Sequence, residues 1–138
     1  MTARRLVVSG AVIALLFVAS PLFAQDAPVL KTEKARPSIM MLSAYMITAL
    51  VQGLDAHSTF KALDAGAVET NPFLINIARN RPAFIALKVA IATGLIYEGR
   101  GLAKKHKVVS VLTLAAINGV YIALAEQNYR VARQMRSR

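Results

Sequence analysis

The chain has 138 residues and a mass of 14.9 kDa, which is the size of a single domain. Hydrophobic residues make up 56% of it and charged residues 17%, whereas soluble domains average about 45–50% and about 25%. Together with a mean hydropathy of +0.48, this composition argues against a disordered chain and against an ordinary soluble domain. The absence of cysteine excludes disulfides, cysteine-ligated zinc and thiol catalysis.

The chain is strongly basic, with 17 lysine and arginine residues against 7 aspartate and glutamate residues and a net charge of +10. In so apolar a chain, this charge indicates contact with anionic lipid in a bilayer. The arginines of the C-terminal segment have few aromatic neighbours, so we expect no nucleic-acid partner.

The first 24 residues have the features of a secretory signal peptide. Arg4 and Arg5 form a basic start, Leu6 to Ala19 form an apolar run, and Ala24 suits the position before a cleavage site. The alternative is an uncleaved anchor, although the apolar run is short for a span of roughly 20 residues. Residues 25–38 contain two prolines and no hydrophobic periodicity, and we expect an exposed polar linker there.

The rest of the chain predicts an all-α membrane bundle over residues 39–128. Its three spans are expected at about 39–65, 82–102 and 108–128. No helix breaker interrupts the first span before Gly66. Residues 129–138 are expected to form a solvated basic tail that contacts anionic lipid.

A short helix is expected between the first two spans. Asn71 and Pro72 are typical of a helix start, and the segment from Pro72 to Arg79 has one apolar face, which indicates an interfacial helix. Glu69 precedes this start. It has two interpretations, either a solvated carboxylate that favours the helix start or a lid group over polar residues of the spans.

A cleaved signal peptide predicts an inner-membrane protein with its mature N-terminus outside and its C-terminus in the cytoplasm. The arginine-rich tail agrees with the positive-inside rule, whereas the basic turn at residues 100–107 disagrees with it. The signal peptide therefore decides the predicted orientation.

Polar side chains recur along one side of the first span. Their spacing of 3, 4, 3 and 4 residues is that of a helix face: Tyr45, Thr48, Gln52, Asp55 and Thr59. The third span has a similar face, formed by Ser110, Asn118, Tyr121 and Asn128. Lys88 stands apart from other polar residues on its side of the second span, so its partner must come from another helix.

A charge at mid-membrane costs at least about 2.5–3.5 kcal/mol and normally faces protein or water. We therefore expect a buried ion pair between Asp55 and Lys88, with Asn118 and Thr59 completing its hydrogen bonds. Such a cluster has two interpretations. Polar side chains in small bundles often serve only to hold helices together, and the alternative is a site for an ion, a proton, a lipid or a partner.

These polar positions resemble the signature of a family of small bacterial integral membrane proteins of unassigned function. The residues read D-x-x-x-T from Asp55 to Thr59 and G-x-x-E-x-N-P from Gly66 to Pro72, followed by Lys88. The resemblance covers about residues 45–128, with a weaker match at Asn118, and excludes the leader and the linker. It implies a membrane domain of three or four helices with these polar positions as its core site, and it implies no activity.

The sequence lacks the motifs of common metal and enzyme sites. It has no H-x-x-x-H or H-E-x-x-H spacing, no G-x-S-x-G turn, no P-loop and no dinucleotide fingerprint. Asp55 and Asp64 lie on opposite sides of one helix and cannot form a dyad, and His57 points away from Asp55. We therefore expect no metal, no cofactor and no catalytic residue.

Three spans bury little interior, so a homo-oligomer or a larger membrane complex would supply further packing. The leading interpretation is a non-enzymatic accessory or assembly subunit. One alternative is a small oligomeric carrier in which Asp55 and Lys88 form a proton- or ion-linked site. A less favoured alternative is an enzyme that acts on a lipid-borne substrate, with Asp55 or Glu69 as general base.

Overall fold

The computed structural model describes residues 6–7 and 37–137. Nearly all of the predicted signal peptide and of the linker lies outside these residues. In chain order the elements are β1 (Leu6–Val7), α1 (Ile39–Asp64), β2 (Val68–Glu69), α2 (Ile75–Arg79), α3 (Arg81–Lys105) and α4 (Lys107–Arg136). β1 and β2 pair in parallel, and two residues of pairing contribute little stability.

The prediction of an all-α chain with three spans is confirmed. Among the described residues, three helices are long and apolar enough to cross a membrane, namely α1, α3 and α4. Their outward faces carry large apolar side chains, such as Leu50 at 70% exposed and Leu112 at 63% exposed. Surfaces of this kind are unfavourable in water and match acyl chains, as in a multi-pass membrane protein.

The ends of α1 follow from local chemistry. At its start, the side chain of Ser38 accepts a hydrogen bond of 3.4 Å from the backbone N–H of Met41. At its end, Gly66 has a φ of +93°, a conformation that glycine adopts without strain. The 26 residues of α1 span about 39 Å, more than the hydrocarbon core of about 30 Å.

The short helix differs from the one expected over Pro72 to Arg79, because α2 begins only at Ile75. Asn71 Oδ1 accepts a hydrogen bond of 3.1 Å from the backbone N–H of Phe73. This side-chain turn competes with regular helix over the first residues. Ala78 of α2 is buried against Ala56 and Phe84, so α2 covers one end of the contact between α1 and α3.

The basic segment at residues 129–138 is not the separate solvated tail that we expected. α4 runs past residue 128 to Arg136. Val131 and Ala132 are 8% and 5% exposed, and they pack against Ala62 at the end of α1. Their burial stabilises the extra turns, while the arginines that flank them in the sequence stay exposed.

α1 lies against both other spans. It runs parallel to α4, whereas α3 runs in the opposite direction and joins α4 through His106. An apolar cluster packs at the end of the bundle where α1 begins, and it consists of Met41, Tyr45, Val51, Leu95, Leu114 and Tyr121. The polar side chains lie mostly beyond this cluster, toward the end that carries the loop at residues 65–80.

Candidate functional site

The two intramembrane charges meet inside the bundle, as the sequence predicts. Lys88 Nζ lies 2.5 Å from Asp55 Oδ2, and the two side chains are 4% and 1% exposed. α3 contributes the lysine and α1 contributes the aspartate, so the pair joins two helices that run in opposite directions. A buried pair of this kind is costly to break, because removing one partner leaves an uncompensated charge.

Two aromatic rings enclose the ammonium group of Lys88. Its Nζ lies 5.3 Å from the ring centroid of Phe84 and 5.1 Å from that of Tyr121. Aromatic faces attract cations at this distance, and the attraction is largest where water is excluded. Phe84 is fully buried and Tyr121 is 3% exposed, so lysine exchanges water for one carboxylate and two ring faces.

Thr59 and Asn118 do not complete the hydrogen bonds of the pair, so that prediction was wrong. Asn118 Nδ2 donates to Thr48 Oγ1 at 3.1 Å, and Asn128 Nδ2 donates to Thr59 Oγ1 at 3.2 Å. Thr48 lies two turns before Asp55, about 10 Å along the helix. Asn118 is therefore too far along the bundle axis to reach the ion pair.

The polar contacts between α1 and α4 form a ladder with a nearly constant offset. The joined residues are 70, 70, 69 and 72 positions apart in Thr48–Asn118, Ser58–Asn128, Thr59–Asn128 and His57–Tyr129. A constant offset is what two parallel helices of equal rise produce. The ladder therefore specifies which residues of α4 face α1.

Several buried polar atoms have no hydrogen-bond partner among the described residues. Three of the side chains lie around the ion pair, namely Gln52 through both amide atoms, Asp55 through Oδ1 and Tyr121 through its hydroxyl, whereas Asn118, through Oδ1, lies further along the bundle axis. Tyr121 lies beside Gln52 without a hydrogen bond of good geometry. Because buried polar groups are normally satisfied, these atoms mark a place where water, an ion or a polar ligand group can bind.

A groove of about 510 Å³ opens between α1 and α3 next to these atoms. Its walls are mainly apolar, and Gln52 and Lys88 are among its lining residues. Nothing lies within 4 Å of the position that a Cβ on Gly53 would occupy. The lack of a side chain at Gly53 therefore leaves this groove open on the side of α1.

Glu69 and Asn71 belong to the loop that follows α1. Glu69 is 4% exposed, and its Oε1 accepts a hydrogen bond of 2.9 Å from the backbone N–H of Asn71. The end of α1 at Asp64 lies about 14 Å along the helix from Asp55. The observed bonds thus give these residues a part in shaping the turn, and their predicted part in a binding site stays a prediction.

Comparisons with protein-family models, with curated proteins and with solved structures gave no match. The resemblance to the family of small membrane proteins therefore stays a prediction. Within residues 37–137, no group of three or more histidine, aspartate and glutamate side chains is placed to hold a metal ion.

Sequence reasoning identified the polar face of α1 but missed Ser58 and Tyr129. Ser58 is fully buried, and its hydroxyl also donates a hydrogen bond of 2.9 Å to the carbonyl of Asp55. Its position next to Thr59 was an available signal. Tyr129, by contrast, lies just beyond the expected end of the third span, and nothing in its local sequence indicates the contact with His57.

Proposed function

We propose that the protein is a non-enzymatic accessory subunit that docks a transmembrane helix of a partner in the groove between α1 and α3. The observation that carries this proposal is the open groove with Gln52 among its lining residues. That amide is 1% exposed, and its polar atoms make no hydrogen bond of good geometry among the described residues, although Tyr121 lies beside it. A polar side chain on an incoming helix would satisfy it.

The surface of α1 beside the groove suits close helix packing. Ala49 and Gly53 are four residues apart, and both are exposed. Small residues at this spacing allow two helix backbones to approach closely in a membrane, where packing rather than hydrophobicity drives association. Flexible acyl chains can fill a groove without small residues at this spacing, whereas a closely packed helix needs them. The pattern therefore favours a helix as the occupant.

In this proposal the ion pair is a structural element of the docking site. Asp55 and Lys88 hold α1 against α3, which are the two walls of the groove. Separating the helices would leave a buried charge without its partner. The pair therefore keeps the groove in one shape, and the bundle needs no catalytic residue.

We place the subunit in the bacterial inner membrane, with the mature N-terminus outside and the C-terminus in the cytoplasm. The signal-like leader supports this orientation, as do the arginines at the end of α4. The loop end of the bundle, including α2, would then lie at the cytoplasmic interface. Anionic lipid would contact the basic end of α4.

Photo-crosslinking in intact cells tests the docking proposal. A photoreactive residue at Thr93, an exposed lining residue on α3, should give a discrete protein adduct. Gly53→Leu should abolish that adduct by filling the groove. Gly119→Leu is the matched control, because the Cβ of this exposed α4 glycine would also meet nothing within 4 Å.

An adduct with a second copy would identify a homo-oligomer, and an adduct with another protein would identify a larger complex. Either supports docking if only Gly53→Leu removes it. Adducts that form equally in both leucine variants would contradict the proposal, and so would the lack of any protein adduct.

A second candidate function is a small proton- or ion-linked carrier. The specific observation is the set of oxygens without a hydrogen bond of good geometry beside the ion pair, on Gln52, Asp55 and Tyr121. Oxygen atoms of this kind are suitable ligands for hard cations. A carrier would give ion or proton flux into liposomes that Asp55→Asn removes, whereas the accessory subunit would give none.

A further inference from the structure

The outer side of the contact between α1 and α4 carries a second polar arrangement, away from the ion pair. His57 Nδ1 lies 2.6 Å from the hydroxyl of Tyr129, and the ring centroids are 5.8 Å apart. His57 is exposed and Tyr129 is partly exposed, so this bond lies at the surface of the bundle. It joins the two parallel helices one to two turns before the end of α1.

One turn further along each helix lies a cation. Lys61 follows His57 by four residues on α1, and Arg133 follows Tyr129 by four residues on α4. Because the helices are parallel, the contact between His57 and Tyr129 places these two cations at about the same height along the bundle. Both side chains are exposed.

Neither cation lies within ion-pair distance of a carboxylate in the part of the chain that the structure describes, although Arg133 lies close enough to Glu126 to interact with it electrostatically. The ion pairs found there join Arg81 to Asp64, Lys88 to Asp55 and Arg130 to Glu126. Glu126 is the acid nearest to this surface along α4, and Arg130 holds it at 2.5 Å. The charge of Lys61 and of Arg133 is therefore available to an external anion.

Apolar side chains continue this surface toward the membrane centre. Leu50 and Leu54 precede His57 and Lys61 by seven residues, and Ile122 precedes Tyr129 by seven, which keeps each on the same helix face. They are 70%, 40% and 47% exposed. Lys61 lies in the last turn of α1, at the depth where headgroups meet acyl chains.

We infer that this surface binds the headgroup of an anionic phospholipid. The phosphate lies between Lys61 and Arg133, where guanidinium provides two parallel N–H donors and ammonium provides a point charge. The bond between His57 and Tyr129 joins the two helices one turn before these cations. The acyl chains run along Leu50, Leu54 and Ile122. The inference rests on the proposed contact of anionic lipid with the basic end of α4, to which it assigns specific residues, and it is independent of the proposed docking role.

Native mass spectrometry of the purified full-length protein tests the inference. The protein is titrated with phosphatidylglycerol and, separately, with phosphatidylcholine of the same acyl chains. Lys61→Gln/Arg133→Gln should weaken phosphatidylglycerol binding about 25-fold, from the usual contribution of two cations at a membrane surface. Lys104→Gln/Lys105→Gln removes the same charge at the other end of the bundle and should leave binding unchanged.

Three results would overturn the inference. These are equal binding of the two lipids by the parent, equal losses in the two double variants, and release of phosphatidylglycerol by millimolar inorganic phosphate. The conservative exchange Lys61→Arg/Arg133→Lys keeps both charges and should retain binding to within a few-fold. If it loses binding as completely as the glutamine variant while melting like the parent, charge is not what holds the lipid.

Discussion

The hydroxyl of Ser110 donates a hydrogen bond of 2.7 Å to the backbone carbonyl of Gly99. This bond joins α3 to α4 across their short connection. A Cβ on Gly99 would lie 3.0 Å from Cδ1 of Leu114, which is tighter than most Cβ contacts, so the leucine would have to shift. The missing side chain therefore permits the approach of α4 that brings the hydroxyl to the carbonyl.

Replacing Gly99 should destabilise the hairpin of α3 and α4. We expect Gly99→Val to lower the free energy of unfolding by about 1–3 kcal/mol, the usual cost of overpacking a filled interior. Gly101→Val is the matched control, because nothing lies within 4 Å of a Cβ at that position. Thermal unfolding in mild detergent measures both. Equal melting temperatures for the two variants would show that the contact with Leu114 is not tight.

Replacing Lys88 with methionine should leave Asp55 buried without its partner. We expect a loss of about 3–5 kcal/mol, as for one-sided removal of buried pairs, and less folded protein in the membrane. Asp55→Lys/Lys88→Asp should recover part of the loss. Lys104→Met, at an exposed position of α3, controls for the loss of a lysine. If Lys88→Met accumulates and melts like the parent, the pair does not support the fold.

The ladder between α1 and α4 can be tested by a double-mutant cycle. Thr48→Val and Asn118→Leu remove the two ends of one hydrogen bond, and their coupling should be about 0.6 kcal/mol, the average for such contacts in membranes. Thr48→Val and Asn128→Leu involve separate contacts about 15 Å apart along α4, so their effects should simply add. Coupling of equal size in both cycles would contradict a ladder of separate contacts.

Replacing Gly66 with alanine should destabilise the protein because of the backbone conformation at this position and not because of a steric contact. Its φ is +93°, and a Cβ there would meet only Met135 Cε, at an ordinary 3.7 Å. We expect Gly66→Ala to cost about 1–2 kcal/mol through left-handed strain. Gly66→Asn should cost less, because asparagine tolerates this conformation better. Thermal unfolding should rank the variants in that order, and the reverse order would indicate a steric cause instead.

The sequence was a good guide to properties that depend on helical periodicity. Tyr45, Thr48, Gln52, Asp55 and Thr59 share one face because they follow the spacing of a helix, and all five are buried. Local signals for a helix start were less reliable, because Asn71 forms a side-chain turn with Phe73 and α2 begins only at Ile75.

The sequence was a poor guide to the relative positions of residues on different helices along the bundle axis. It was equally poor for packing between residues that are far apart in the chain. Asn118 and Asp55 face the same interior, and only the offset between α1 and α4 shows that they lie about 10 Å apart along the axis. The third span was predicted to end near residue 128, because the arginines that follow lower the average hydropathy of the segment that contains Val131 and Ala132. Burial of those two side chains against α1 extends the helix, and no local pattern reveals their partner.

The ladder also limits how the bundle can move. Thr48 and Ser58 are ten residues apart, as are their partners Asn118 and Asn128, so sliding one helix along the other by a single turn would break every rung at once. The ladder thus favours motion of α1 and α4 together. A rearrangement of the bundle would then move α3 relative to α1 and α4. Such a movement would separate Lys88 from Asp55 and from the ring of Tyr121.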